Sequence, residues 1–275
     1  MIGRIAHPTN FSKLSTKAFV HALRLAVAAQ CSIDLLHVKS ERSLQDWEAF
    51  PHVRDTLARW GILDAHDLPV DVAVKAGIIV RKAEINHAKG PAAGIFKYLV
   101  EQPANLIVTA PHDQAILGRW VSGSVSEEIA LRTHRPSLFI GERMKSFVDK
   151  QTGSISLSTV LVPIDHRPSP DRVIEHLKRF FATFGLSPDY MLLHVGDQAP
   201  VLLDDMEQEI PVTRAVGPVA QAILEHADVN GADLIAMPTA GHDGFLDMLR
   251  GSTTERVMRQ AHCPLLAIPS QCLNL

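Results

Sequence analysis

Short apolar runs alternate with longer stretches of helical spacing along the whole chain. In the N-terminal half, Ile5 to Pro8 is a compact apolar run closed by the turn Pro8-Thr9-Asn10-Phe11-Ser12, after which Phe19, Ala22, Leu23, Ala26 and Val27 recur every three or four residues. That pattern predicts a strand, a turn and an amphipathic helix. Ile33 to Val38 predicts a second strand, the region of Val70 to Lys75 a third, and Gly90-Pro91 the start of a helix; a fourth strand ends at Thr109, and a last helix precedes a fifth strand over Ser137 to Ile140. The C-terminal half predicts strands over Val160 to Ile164, Tyr190 to Val195, Val212 to Val216, a run ending at Pro238, and Leu265 to Ile268, with a helix opening at Gly217-Pro218. Proline suits a helix start because the first turn has no acceptor for its amide anyway. Strands that alternate with helices pair in parallel through right-handed crossovers and carry helices on both faces of the sheet, so the fold class is α/β, doubly wound.

The two halves are copies. Gly123-Ser124, Glu127 and His134-Arg135-Pro136 match Gly251-Ser252, Glu255 and His262-Cys263-Pro264 at a constant offset of 128 residues, which marks a duplicated unit rather than a chance dipeptide. Gly90-Pro91 pairs with Gly217-Pro218 and Leu106-Ile107 with Leu234-Ile235 at nearly the same spacing, but Pro8 and His37-Val38 answer to Pro163 and His194-Val195 at offsets of 155 and 157. The second copy is therefore shorter between its second strand and its Gly-Pro turn, by about one helix and its loops. Arg143 to Leu157 lacks periodicity and reads as the linker, which gives domains at 1–142 and 158–275.

Composition fits two domains with ordinary cores: 275 residues, 46% hydrophobic and 21% charged. A net charge of -3 without a long run of like charges argues against a nucleic-acid or acidic-lipid partner. Cys31, Cys263 and Cys272 have no metal-type spacing, and the first and second lie in apolar stretches that suit small reduced core residues. The N-terminus has no long apolar segment and no stretch approaches membrane-spanning length, so a cytoplasmic location is expected.

In an open parallel sheet, ligands bind beyond the carboxyl ends of the strands. In the second copy the loops there carry Pro163-Ile164-Asp165, His194-Val195-Gly196 and the segment from Pro238 to Ser252. Gly241 and Gly244 lie three apart, and Gly251-Ser252-Thr253 opens a helix. Glycines let main-chain amides approach a phosphate, and the first turn of a helix offers unpaired donors at the positive end of its dipole. The same residues have a purely structural use, since Ser252 to Glu255 and Ser124 to Glu127 are capping boxes.

As a set, these residues resemble the universal stress protein family. The carriers in the second copy are Val162-Pro163-Ile164-Asp165, His194-Val195, and Gly241 followed after nine residues by Gly251-Ser252. The resemblance covers nearly the whole chain, in two tandem domains. It implies a five-stranded parallel sheet of order 3-2-1-4-5 in each and, in the nucleotide-binding branch, a site for ATP or another adenine nucleotide, with magnesium accompanying ATP. By matching positions, Asp165 faces ribose and adenine, the main chain around Val195 recognises adenine, and Gly241, Gly251 and Ser252 surround the phosphates; Pro163, Thr253 with its hydroxyl and the extra glycine Gly244, which the motif does not have, complete the candidate nucleotide-binding residues. Asp165 also reads as a turn residue closing a strand. Pro238 stands where the motif has its first glycine and removes an amide donor. In the first copy Ala110 and Asp113 stand in the two leading glycine positions and Asn10 replaces the aspartate. An Asp113 carboxylate facing a triphosphate costs roughly 1 to 4 kcal/mol at about 4 Å, so the first copy is expected not to bind nucleotide.

His7, His37 and His112 all fall near strand ends in the first copy, where a zinc site with Asp113 is conceivable, but His37 and its twin His194 hold the family's ordinary position and no metal is expected. His112-Asp113 and His242-Asp243 are adjacent pairs without a nucleophile or a Walker loop, so no catalytic residue is assigned. Three functions remain: an adenine-nucleotide-binding stress or signalling protein with slow or no hydrolysis, a tandem interaction module that binds no nucleotide and pairs its repeats as an intramolecular pseudo-dimer, and a weak ATP hydrolase. A further homodimer and an unidentified protein partner stay open, and Asp197 to Glu209 is a candidate lid.

Overall fold

A computed structural model describes residues 2–39, 47–48, 50–64, 66–86, 89–111, 125–204, 206–239 and 253–274. The chain divides into two compact units, Met1–Glu142 with Phe147–Ser156, and Arg143–Ser146 with Leu157–Leu275.

In the first unit the elements run β1 (Arg4–Pro8), α1 (Lys13–Ala29), β2 (Ser32–Val38), α2 (Val53–Arg59), α3 (Asp71–Ala76), β3 (Val80–Ile85), α4 (Pro91–Glu101), β4 (Leu106–Thr109), α5 (Val125–Thr133) and β5 (Ser137–Phe139). The strands lie in the order β3-β2-β1-β4-β5, all parallel, which is the 3-2-1-4-5 arrangement. Ala6, Leu36 and Ile107 on one face pack under Ala92, Ile95 and Leu99 of α4 and Ile129 of α5. The alternate positions Ile5, Ile33, Leu35 and Val108 are also fully buried, as a central parallel sheet covered on both faces requires. The start of α1 is fixed by Ser12, whose side chain accepts from the Ser15 amide, and its end by Gln30 in the left-handed region at φ 48°.

The third strand is not where the hydrophobic alternation of Val70, Val72 and Val74 places it. Residues 71–76 form α3, with Val72 and Ala76 buried on one helical face while Val70 and Val74 are exposed. The Asp71 carboxylate accepts the Leu68 amide at 2.7 Å and Gly77 closes the helix at φ 66°. Local capping thus outweighs a weak two-residue period, and the more polar Val80–Ile85 takes the edge of the sheet, where half its residues face solvent.

The second unit runs β6 (Thr159–Pro163), α6 (Pro170–Ala182), β7 (Asp189–Val195), β8 (Val212–Ala215), α7 (Val219–Val229), β9 (Leu234–Thr239), α8 (Thr253–Gln260) and β10 (Leu265–Pro269), ending in a 3-10 turn over Ser270–Asn274. Its order, β10-β9-β6-β7-β8, repeats the first unit's. Between β7 and β8 the described residues hold no helix, only a small hairpin bridged at Leu203 and Glu209. Pro218 is the N-cap of α7, whereas Pro91 is the first residue of α4.

Residues 143–157 are not a free linker. Met144, Phe147, Val148 and Leu157 are buried, and Val148 and Ile155 bridge in antiparallel fashion. The polar residues that hide any period serve a tight turn: the Asp149 carboxylate accepts from the amides of Gln151 and Thr152 and from the Thr152 hydroxyl, bonds that hold it below its ordinary range. That turn is fastened within the first unit by Arg24 to the Gly153 carbonyl at 2.7 Å and Trp60 to the Lys150 carbonyl at 3.1 Å. Cys31 and Cys263 are free and buried, and burial pushes their thiols up to about 11 and about 12. No helix among the described residues is long and apolar enough to cross a membrane.

Candidate functional site

The carboxyl ends of β6 and β7 bring Pro163, Asp165 and Val195 to one rim of the second unit. His194 is buried on β7, and its Nδ1 lies 3.2 Å from the Ile164 carbonyl. A carbonyl only accepts, so Nδ1 is the donor in this bond. The same bond exists in the first unit, from His37 Nδ1 to the Thr9 carbonyl at 3.0 Å, and in both repeats the residue so gripped donates its amide back to the second strand, Ile164 to Leu193 and Thr9 to Leu36, each at 2.8 Å. The paired histidines are clasps that fix the turn after the first strand. Gly196 must be glycine because a Cβ there would stand 2.8 Å from His194 Nε2.

Held by this clasp, Asp165 projects outward with 70% of its side chain exposed. Its carboxylate is 3.9 Å from His194 Nδ1, beyond hydrogen-bond range, and it accepts the His166 amide at 2.7 Å. It is thus a carboxylate available to a ligand and also a local turn acceptor. His166, exposed beside it, stands edge-on to His194 with ring centroids 5.9 Å apart, and its Nε2 donates to the Gln198 carbonyl at 3.1 Å. The Gly196 amide is committed to the Ala215 carbonyl, so Val195 and Gly196 do not offer a full main-chain edge. Pro238 lies within β9 opposite Ile268 of β10, and Thr253 opens α8, where Glu255 pairs with Arg259 at 2.6 Å. Gly241, Gly244, Gly251 and Ser252, with His242 and Asp243, lie outside the described residues.

The first unit fills the corresponding corner with its own rings. Phe11 stacks on His37 at 4.1 Å, and Trp47 and Phe50 close on Phe11 at 5.0 and 5.5 Å. Phe11 is 7% exposed and sits at φ 62°, a backbone region that costs an L-residue about 1–2 kcal/mol and persists only where packing enforces it. Beside this cluster His7 is completely buried, bonded through Nδ1 to the Val108 carbonyl at 2.8 Å with Ser15 Oγ 3.4 Å from Nε2; burial pushes it down to about 4. His7 and His37 each spend one nitrogen on a main-chain carbonyl, and no group of three or more His, Cys, Asp or Glu residues is placed to hold a metal among the described residues. His112 and Asp113 lie outside them.

Sequence reasoning missed His166 and the Phe11-Trp47-Phe50 cluster. The former adjoins Asp165, but its partner Gln198 acts through a main-chain carbonyl, which leaves no side-chain signature. Phe11 takes a conformation that favours glycine or asparagine, so no local rule flags it.

The model of the universal stress protein family matches residues 1–140 and 201–269. The chain belongs to the universal stress protein family. A stretch of 52 residues is 46% identical to a universal stress protein of Methanocaldococcus jannaschii, covering 19% of this chain and 31% of that relative. In fold, the chain is similar over 97% of its length to a universal stress protein from Archaeoglobus fulgidus, of which it covers 96%, with a TM-score of 0.62 and 20% identity. A protein of Pseudomonas aeruginosa assigned to the same family gives a TM-score of 0.63 at 14% identity, with coverage of 99% and 95%. Both span two repeats of the universal stress protein fold in this chain.

Proposed function

We propose that this stress-response protein of the universal stress protein family binds an adenine nucleotide, ATP, ADP or AMP, at one site in its second repeat, with little or no hydrolysis. The observation that carries the reading is the contrast between equivalent corners: Asp165 stands 70% exposed on the rim of the second unit, whereas Phe11, Trp47 and Phe50 fill that corner in the first. In the second unit Asp165 takes ribose hydroxyls, the rim around Pro163 and Val195 faces the base, and Gly241, Gly244, Gly251, Ser252 and Thr253 receive the phosphates, with Mg²⁺ accompanying ATP. The tandem repeats fit an intramolecular pseudo-dimer in which one member is the ligand-binding half.

A second reading is a tandem interaction module without nucleotide. Two observations favour it: Pro238 brings no amide to the loop, and the Gly196 amide is already bonded to Ala215. Calorimetric titration with ATP, ADP and AMP separates the two. One equivalent of nucleotide bound by the native chain, and lost in Gly251→Val, supports the first; no heat at millimolar nucleotide leaves the interaction module.

A further inference from the structure

The sheet of the first unit ends at β3, the outermost strand of its order. On the inner side β3 bonds to β2: the Ile33 amide donates to the Ile79 carbonyl at 2.8 Å and the Lys39 amide to the Ile85 carbonyl at 3.0 Å. The register between them runs without a bulge from Ile33 opposite Val80 to Val38 opposite Ile85. Alternate residues of a parallel strand bond to the same neighbour, so Val80, Lys82 and Glu84 turn their main-chain groups away from the sheet. Among the described residues no strand or loop takes up those outward groups. Such an edge is a template for another strand unless proline, a bulge or repelling charge guards it. β3 contains no proline, and its charges are of both signs, Arg81, Lys82 and Glu84. Ala83 and Ile85 pack toward α4, which leaves Lys82 and Glu84 together on the other face. There Lys82 Nζ lies 5.1 Å over the Trp47 ring and Glu84 accepts from Trp47 Nε1 at 3.1 Å, and both side chains are exposed.

A lysine and a glutamate two residues apart on one face of an edge strand are complementary to a copy of themselves. When identical strands pair antiparallel about a two-fold axis, opposed residues lie on the same face, and the residue on the axis faces itself. Centring the axis on Lys82 sets lysine against lysine, and centring it on Glu84 sets carboxylate against carboxylate, both unfavourable. Centring it on the small Ala83 sets each Lys82 opposite a Glu84, and these are the residues whose main-chain groups point outward and can exchange N–H···O bonds. The outer strand of the second unit, β8, lacks this property. The Ala215 carbonyl is spent on the Gly196 amide, so Val212 and Arg214 face outward, and they carry charge of one sign only. The chain leading into β3 adds an apolar flank, since Leu68, Val70, Val74 and Ile79 are each more than half exposed. We propose that the protein forms a homodimer through β3, which pairs antiparallel with β3 of a second copy about a two-fold axis at Ala83, each Lys82 facing the Glu84 of the other copy.

Sedimentation equilibrium of the nucleotide-free full chain, from low-micromolar to near-millimolar concentration, tests it. The native chain is expected to dimerise, and Lys82→Glu and Glu84→Lys, each of which sets like charges opposite one another twice, to associate at least about tenfold more weakly. The two single variants mixed in equal amounts restore opposite charges at both positions, so the mixture should form a heterodimer with affinity within about threefold of the native dimer, as should Lys82→Glu/Glu84→Lys with itself. Recovery in the mixture also shows that both single variants are folded. A native chain that stays monomeric over the whole range overturns the proposal. So does a dimer that neither reversal weakens, which pairs through another surface, and so does weakening that the mixture fails to repair, which shows that Lys82 and Glu84 do not face each other.

Discussion

Truncating Phe11 to alanine should weaken the first unit more than any comparable change at an exposed turn, and the structure says by how much. The ring is 7% exposed and lies within 4.1 to 5.5 Å of His37, Trp47 and Phe50; removing a buried phenyl group costs about 3–5 kcal/mol. Alanine keeps a Cβ at φ 62° and so keeps the backbone penalty. Glycine releases that penalty, worth about 1 kcal/mol at such a position. Phe11→Gly should therefore be less damaging than Phe11→Ala by about 1 kcal/mol, the reverse of the usual order inside regular structure. All three tryptophans, Trp47, Trp60 and Trp120, belong to the first repeat, so urea unfolding followed by tryptophan emission reports that unit. A loss below about 1 kcal/mol for Phe11→Ala, or a glycine variant less stable than the alanine one, would refute the packing-against-strain argument.

Two further outcomes follow from the first unit's interior. His7 and His21 are both pushed down to about 4 by burial; the unfolded chain takes up their protons as pH falls through 6.5 while the folded one does not, so stability is complete above that value and is lost progressively between 6.5 and about 4. The loss should reach roughly 2 kcal/mol per histidine by pH 5, read as a falling urea midpoint in the tryptophan signal, and a flat midpoint over that range would contradict it. Gly153→Ala would place a Cβ 2.6 Å from Trp60 Cδ2 at a residue with φ 70°, which should lower stability by about 2–4 kcal/mol and shift the Trp60 emission. A native-like midpoint would show that the 147–156 turn is not clamped on Trp60.

What was legible in the sequence was whatever depends on period and repetition. Ile5, Ile33, Leu35 and Leu106 announce central strands because burial on both faces leaves no polar alternation to confuse, and the 128-residue offset between the Gly-Ser, Glu and His landmarks announces the repeat. The third strand escaped because Val70, Val72 and Val74 carry the stronger period-two signal, while the true edge strand holds Arg81, Lys82 and Glu84; edge strands need polar residues, so they look least like strands. The linker escaped because its order comes from one carboxylate, Asp149, and from distant partners, Arg24 and Trp60. At the site, the clasp of His194 and its twin His37 could be suspected from their matching positions, and Asp165 from its motif. The contents of the first unit's corner could not, since Phe11, Trp47 and Phe50 meet only through tertiary packing.

As proposed, an adenine nucleotide is taken at one corner of the second unit, while rings of the chain itself fill the equivalent corner of the first. Hydrogen exchange of the native chain with and without millimolar ATP tests it most directly. Slower exchange is expected at residues 164–167 and 194–198 of the second unit, with residues 9–12 and 37–39 of the first unit unchanged. Protection at those first-unit residues, or none at the second-unit rim under saturating nucleotide, would contradict it.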